Sequence, residues 1–246
     1  MINSDRKLAR ITGVLFIITF VTSIPAVILY DPILHDTGYI VGAGADTRVF
    51  LGAFLELLLI VANIGTAVAL FPVLKRRSEG LALGYVTARL VESGFIALGI
   101  ISLLTIVTLR QDAPGADASS LVALGQSLVA IHDWTFLLGP GFVVGIGNGL
   151  ILGYLMYRTG LVPRRMAMFG LVGGPLVCAS GIAVMFGAFE PGSAPQFLAT
   201  IPEIIWEASL GIYLTAKGFK ASSPVLRRSP RSAVDAGTPI PVMAAA

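Results

Sequence analysis

Six runs of mostly apolar residues, at about 8–30, 50–74, 80–109, 134–157, 161–189 and 200–219, are separated by short polar connections. Crossing the roughly 30 Å hydrocarbon core of a bilayer as a helix takes about 20 such residues. The third run is long enough to tilt or protrude. Composition agrees with a membrane reading. Of 246 residues, 55% are hydrophobic and 13% charged, against about 25% charged in an average soluble domain. Mean hydropathy is +0.85. A soluble domain of this length has too little interior to hide that much apolar surface. The same composition excludes disorder for most of the chain, and the single cysteine, Cys178, excludes a disulfide scaffold. The expected fold class is all-α: residues 1–219 form an integral membrane bundle of six transmembrane helices. Residues 220–246, basic and containing Pro224, Pro230, Pro239 and Pro241, read as a disordered cytoplasmic tail.

Lysine and arginine in short loops set orientation. Basic residues gather before the first run (Arg6, Lys7, Arg10) and between the second and third (Lys75, Arg76, Arg77). They recur between the fourth and fifth (Arg158, Arg164, Arg165) and after the sixth (Lys217, Lys220, Arg227, Arg228, Arg231). Of the 17 basic residues, that leaves Arg48 and Arg110 on the other side and Arg89 inside the third run. The expectation is a multi-pass protein of the plasma (inner) membrane with both termini cytoplasmic. The net charge of +3 follows from this topology. Nucleic acid is not an expected partner, since no loop is long enough to build a basic face with stacking aromatics. The lipid bilayer is. The N-terminal run is too long for a signal-peptide core and lacks a cleavage site, so it reads as an uncleaved first helix.

Familiar chemistries find no footing. With only His35 and His132, two facing haem ligands inside the bilayer are not available, and C-x-x-C, H-E-x-x-H, P-loop and G-x-S-x-G patterns are missing. No cofactor and no metal are implied. Asp31, His35, Asp36 and Asp46 in the first outer loop lack ligand spacing and read as solvated. Ala113, Pro114 and Gly115 form a turn. Ser119 or Ser120 then caps a helix with Leu121, Leu124, Leu128 and Ile131 on one stripe. That helix either lies at the interface or is the protruding start of the fourth span. Trp134, Trp206 and Tyr157 are assigned to the aromatic belt, with Trp206 stacking on a cation as the alternative.

Gly141, Gly145, Gly149 and Gly153, each four residues apart, form one small face on the fourth span. It packs against a helix of the same chain or forms the seam of a homo-oligomer. Pro175 in the fifth span and Pro140 in the fourth are expected to bend their helices.

The ionisable residues within or at the edges of the spans are Glu56, Arg89, Glu92, His132, Asp133, Glu203 and Glu207. Such residues normally face protein or a water-filled cavity. At 1.5 Å per residue, Glu56 and Glu207 lie roughly 9 and 11 Å in from the outer side, and Glu92 roughly 18 Å up from the inner side. In a 30 Å core these share a level in its outer half. Arg89 and Glu92 share a helix face as an i, i+3 pair. One arginine does not neutralise three carboxylates, so either some are protonated or a cation completes the cluster.

Three segments carry a likeness: Ala88-Arg89 with Glu92; His132-Asp133-Trp134-Thr135-Phe136 with Gly139-Pro140; and Pro202-Glu203 through Trp206-Glu207 to Leu214 and Lys217-Gly218-Phe219. Over about Arg6 to Phe219 the chain resembles the bacterial family called domain of unknown function 4386. The resemblance implies a polytopic membrane fold and no particular reaction. The leading functional expectation is a site for a proton, cation or small cationic ligand at the acidic cluster, used in transport. The alternative is a structural or regulatory membrane subunit, associating through the fourth-span glycines. A third reading is a lipid-modifying enzyme using Asp133 and His132 as acid and base.

Overall fold

The computed structural model describes residues 2–112 and 117–227. The expected turn at Ala113, Pro114 and Gly115 and the tail beyond Arg227 lie outside the described residues. Helices α1 (Ile2–His35), α2 (Asp46–Leu74) and α3 (Glu79–Asp112) form three spans. The fourth is built from α4 (Ala118–Phe136), two π-helical segments (Leu137–Val143 and Gly145–Leu152) and α5 (Gly153–Thr159). Helices α6 (Arg164–Met185) and α7 (Ala194–Ala216) complete six apolar spans, and α8 (Pro224–Arg227) follows as a single turn. No strand occurs among the described residues. The chain is an all-α, multi-pass membrane protein.

Each span packs on its sequence neighbour, and α7 returns to α1, so the six close into a ring. Its outer surface is apolar: Val21, Ile28, Val61, Ile101, Phe197 and Ile212 are all exposed. In water such a belt would drive association; in hydrocarbon it is the solvated face. Polar side chains inside the spans bond locally. Thr12, Thr19 and Thr22 on α1 donate to carbonyls of their own turn at 2.7–2.9 Å, which meets the demand that nothing polar be left open in lipid.

The fourth span departs from the expected boundaries. It is one helical run, Ala118–Thr159, so the Leu121–Ile131 stripe is the protruding start of the span. Asp117, rather than Ser119 or Ser120, caps it: its carboxylate accepts from the Ser120 N–H at 2.8 Å and from both serine hydroxyls. The π winding has a local reason. Pro140 offers no N–H and its ring crowds the carbonyl four residues back, so the α ladder cannot pass through it. The following glycines have no side chains to oppose the wider turn.

Polar clasps fix both ends. On the end with the basic loops, Arg76 grips Asp5 through two bonds of 2.8 and 3.0 Å. Ser223 donates to the Thr159 carbonyl at 2.7 Å and Lys220 N–H to Leu161 O at 2.8 Å. On the other end Asp46 accepts from Arg110, Gln111 and the Tyr39 hydroxyl.

Candidate functional site: an acidic chamber inside the ring

At the heart of the ring Arg89, Glu92 and Asn63 close a three-cornered network. Arg89 Nη1 donates to Glu92 Oε2 at 2.7 Å, Arg89 Nη2 to Asn63 Oδ1 at 2.6 Å, and Asn63 Nδ2 to Glu92 Oε1 at 2.9 Å. The two charged residues come from one turn of α3, and the amide is supplied by α2. Arg89 and Glu92 are 3% and 5% exposed, and the Phe16 ring of α1 lies under the guanidinium at 5.8 Å. A buried pair of this kind depends on further bonds to its remaining donors and acceptors; the Asn63 amide supplies two of them, while Arg89 Nε is buried without a partner.

Across the chamber, α7 presents Glu203 and Glu207 one turn apart. Asn148 Nδ2, from the second π segment, donates to Glu207. The Asn148 carbonyl in turn accepts from Trp206 Nε1 at 2.9 Å. Trp206 is fully buried, in the space left by Gly170, where a Cβ would lie 2.8 Å from the indole. It is a core residue, not a member of the aromatic belt or a lid over a cation. Trp134 is exposed, as belt duty requires.

Glu203 differs from the other carboxylates. It is 3% exposed and neither oxygen has a hydrogen-bond partner. Its side chain lies over a notch of backbone: a Cβ at Gly173 or at Gly149 would each come within 2.8 Å of Oε2. Glu56 accepts from the Tyr30 hydroxyl of α1 at 2.9 Å. His132 sits edge-on to Tyr30 and stacks on Phe136. Its Nδ1 is buried without a hydrogen-bond partner, 3.6 Å from the exposed Asp133 carboxylate.

Two cavities connect these groups. A chamber of about 320 Å³ is lined by Glu56, Arg89, Glu92, Glu203 and Glu207. A vestibule of about 500 Å³ contains Glu56, His132 and Asp133 and reaches His35, Pro191 and Gln196 at the end of the bundle. Glu56, Phe136, Pro140 and Thr200 line both. Five of the seven ionisable residues singled out from sequence therefore face one chamber, while His132 and Asp133 stand in its antechamber. Among the described residues no group of three His, Cys, Asp or Glu is placed to hold a metal ion.

The glycine face divides. A Cβ at Gly145 would lie 2.7 Å from Cys178 Sγ and from Gly174 O; at Gly149, 2.4 Å from Gly174 Cα; at Gly153, 3.2 Å from Leu171 N. These three glycines lie against α6 of the same chain. Gly141 meets only its own helix and lines the vestibule. Sequence reasoning missed Asn63, Asn148 and Tyr30, which bond the carboxylates. Two amides inside apolar runs were the available signal.

Comparison with known proteins gives one finding. A family model described as "Domain of unknown function (DUF4386)" matches residues 11–218. No curated protein and no solved structure matches the chain. The matched region begins within the first span, takes in the other five and every residue of the chamber, and the chain belongs to the DUF4386 family.

Proposed function

We propose that this multi-pass protein holds a proton or a small cation at the carboxylates of the chamber, and that this site serves transport. One observation carries the reading: Glu92, Glu203 and Glu207 surround a single buried cation, Arg89, in a cavity within the apolar ring. Arg89 is bonded to Glu92, so the two glutamates of α7 lack a cationic partner. Carboxylates in such surroundings take up a proton or gather a cation. The vestibule leads to the chamber from the His35 end, and the cavity lining stops at Arg89 and Glu207. A buried site reached from one end suits one state of an alternating-access cycle.

In this reading the basic end faces the cytoplasm, with both termini on that side of the plasma membrane, on the strength of the loop arginines and lysines. The vestibule then opens outward.

The test is a thermal-unfolding series on purified full-length protein across pH and a panel of cations. It is run beside a Glu92→Gln, Glu203→Gln, Glu207→Gln variant. A ligand at a hundredfold excess over Kd stabilises the folded state by about 2.7 kcal/mol. The wild type should be stabilised by protons or a cation in a way the variant is not. Identical responses in both would remove the chamber as a binding site.

A further inference from the structure

We infer that a single water seated between Glu56 and His132 carries protons from the vestibule into the chamber, in the order Asp133, His132, water, Glu56. The inference rests on the reading of the chamber as a proton site and names how the proton reaches it.

His132 is 7% exposed, and Nδ1 is buried without a hydrogen-bond partner. Among the described residues its ring makes only aromatic contacts, edge-on to Tyr30 and stacked on Phe136. A ring that gives and takes protons at ordinary pH, buried inside a membrane span with no bond to hold it, has the chemistry of a shuttle. Between it and Glu56 lies a small pocket of about 10 Å³, lined by both residues and by Gly99 and Thr135. That is the room one water takes. The Cδ2–Nε2 edge of the ring faces Gly99, where a Cβ would lie 3.3 Å from Cδ2 and 4.0 Å from Nε2. A buried water takes about two to four polar partners, and Nε2, the Glu56 carboxylate and the Thr135 hydroxyl border this one. The hydroxyl donates to the His132 carbonyl, so towards the water it accepts.

Both ends of the path are in place. Nδ1 lies 3.6 Å from the Asp133 carboxylate, which is exposed and lines the vestibule. Glu56 lines vestibule, pocket and chamber alike, and the Tyr30 hydroxyl holds its Oε2, leaving Oε1 for the water. Across the chamber Glu56 shares the lining with Arg89 and Glu92 of α3 and with Glu203 and Glu207 of α7; His35 of α1 stands in the vestibule, and α6 adds no titratable group to either lining.

A vestibule hydronium gives its proton to the Asp133 carboxylate and becomes water. The carboxyl passes the proton to Nδ1, Nε2 releases its own to the pocket water, and that water hands one on to Glu56. One proton has entered, and only O–H and N–H bonds have changed. The ring finishes with its hydrogen on Nδ1, and a half-turn resets it.

The test is a stopped-flow jump from alkaline to acid pH on full-length protein in nanodiscs, with proton uptake read by an indicator dye in the bulk. The chamber's share is the uptake lost in the Glu92→Gln, Glu203→Gln, Glu207→Gln variant. Gly99→Ala fills the pocket and removes no polar group. Gly94→Ala, on the same helix with open space around it, is its control. Asp133→Asn interrupts the entry at an exposed residue and leaves the packing alone. The chamber's uptake should slow roughly tenfold or more in Gly99→Ala and in Asp133→Asn. The number of protons taken up by Gly99→Ala should stay as in wild type, and Gly94→Ala should match wild type in speed. Wild-type speed in Gly99→Ala overturns the water, and wild-type speed in Asp133→Asn overturns the order of the relay. A chamber that takes up no protons overturns the relay outright, and the cation reading then stands or falls by the thermal series alone.

Discussion

Replacing Gly149 by alanine tests the close contact between the fourth span and α6 against which the Glu203 carboxylate rests. A Cβ there would lie 2.4 Å from Gly174 Cα, 2.8 Å from Gly174 N and 2.8 Å from Glu203 Oε2. Two of these are backbone atoms of α6, which cannot turn aside as a side chain can. Carbon atoms rest at about 3.5–4.0 Å, so the fourth span and α6 must part by about 1 Å. Overpacking of this kind costs about 1–3 kcal/mol, and the better helix propensity of alanine returns at most about 1 kcal/mol. Gly94→Ala is the control: nothing lies within 4 Å of its Cβ, so it receives the propensity gain alone. The two variants should differ by about 1–3 kcal/mol, or about 2–12 °C in Tm for a chain of this size. Cys178, the only cysteine, is half-buried beside Gly145, so a thiol-reactive dye reports unfolding directly. If Gly149→Ala melts with Gly94→Ala, the close approach of these two helices is refuted.

Two further outcomes follow from the same structure. Arg89→Met strands Glu92, and Glu92→Gln strands Arg89; breaking a buried pair costs about 3–5 kcal/mol. The double variant should lose less than the two singles combined, with a coupling of about 0.5–3 kcal/mol, and strict additivity in the melting data would refute the pair. At the start of α4, bonds from Ser119 and Ser120 hold the Asp117 carboxyl down from 3.8 to about 2. A carboxyl whose folded value is depressed stabilises fully above about pH 4 and loses that contribution as pH falls through about 2. Protection of the Ser120 amide from hydrogen exchange, compared with Asp117→Ala, should show that loss; equal protection in both proteins at every pH would refute the cap.

Local features were legible in the sequence and distant pairings were not. Each span announced itself because a bilayer demands about 20 apolar residues in a row. The Arg89–Glu92 pair was legible because residues three apart share a helix face. The Asn148–Glu207 bond joins residues from different helices, and only the folded ring brings them together. On the sequence-read boundaries Trp206 falls near the start of the last span, where an aromatic usually marks the interface, but α7 begins at Ala194 and places it mid-helix. Gly170 on another helix, which makes room for it, turns it inward. The π winding after Phe136 left one trace, Pro140 among glycines, which a pattern of period 3.6 reads as a bend. The open carboxylate of Glu203 depends on Gly149 and Gly173 lying opposite it, and spacing along one helix says nothing of that.

The two charged helices of the chamber differ in what each carries into the membrane during synthesis. Helix α3 contains Arg89 and Glu92 within one turn, so it can leave the ribosome already neutralised and enter lipid as a self-paired unit. Helix α7 has Glu203 and Glu207 and no lysine or arginine of its own, and it is the least apolar of the six spans. The amide that bonds Glu207 and the carbonyl that accepts from Trp206 both belong to Asn148, made 59 and 58 residues earlier. The last helix is thus a client of the first five. It settles only once the fourth span and α6 are in the bilayer, so any lesion that delays those two will surface first as failed insertion of a helix that is itself intact.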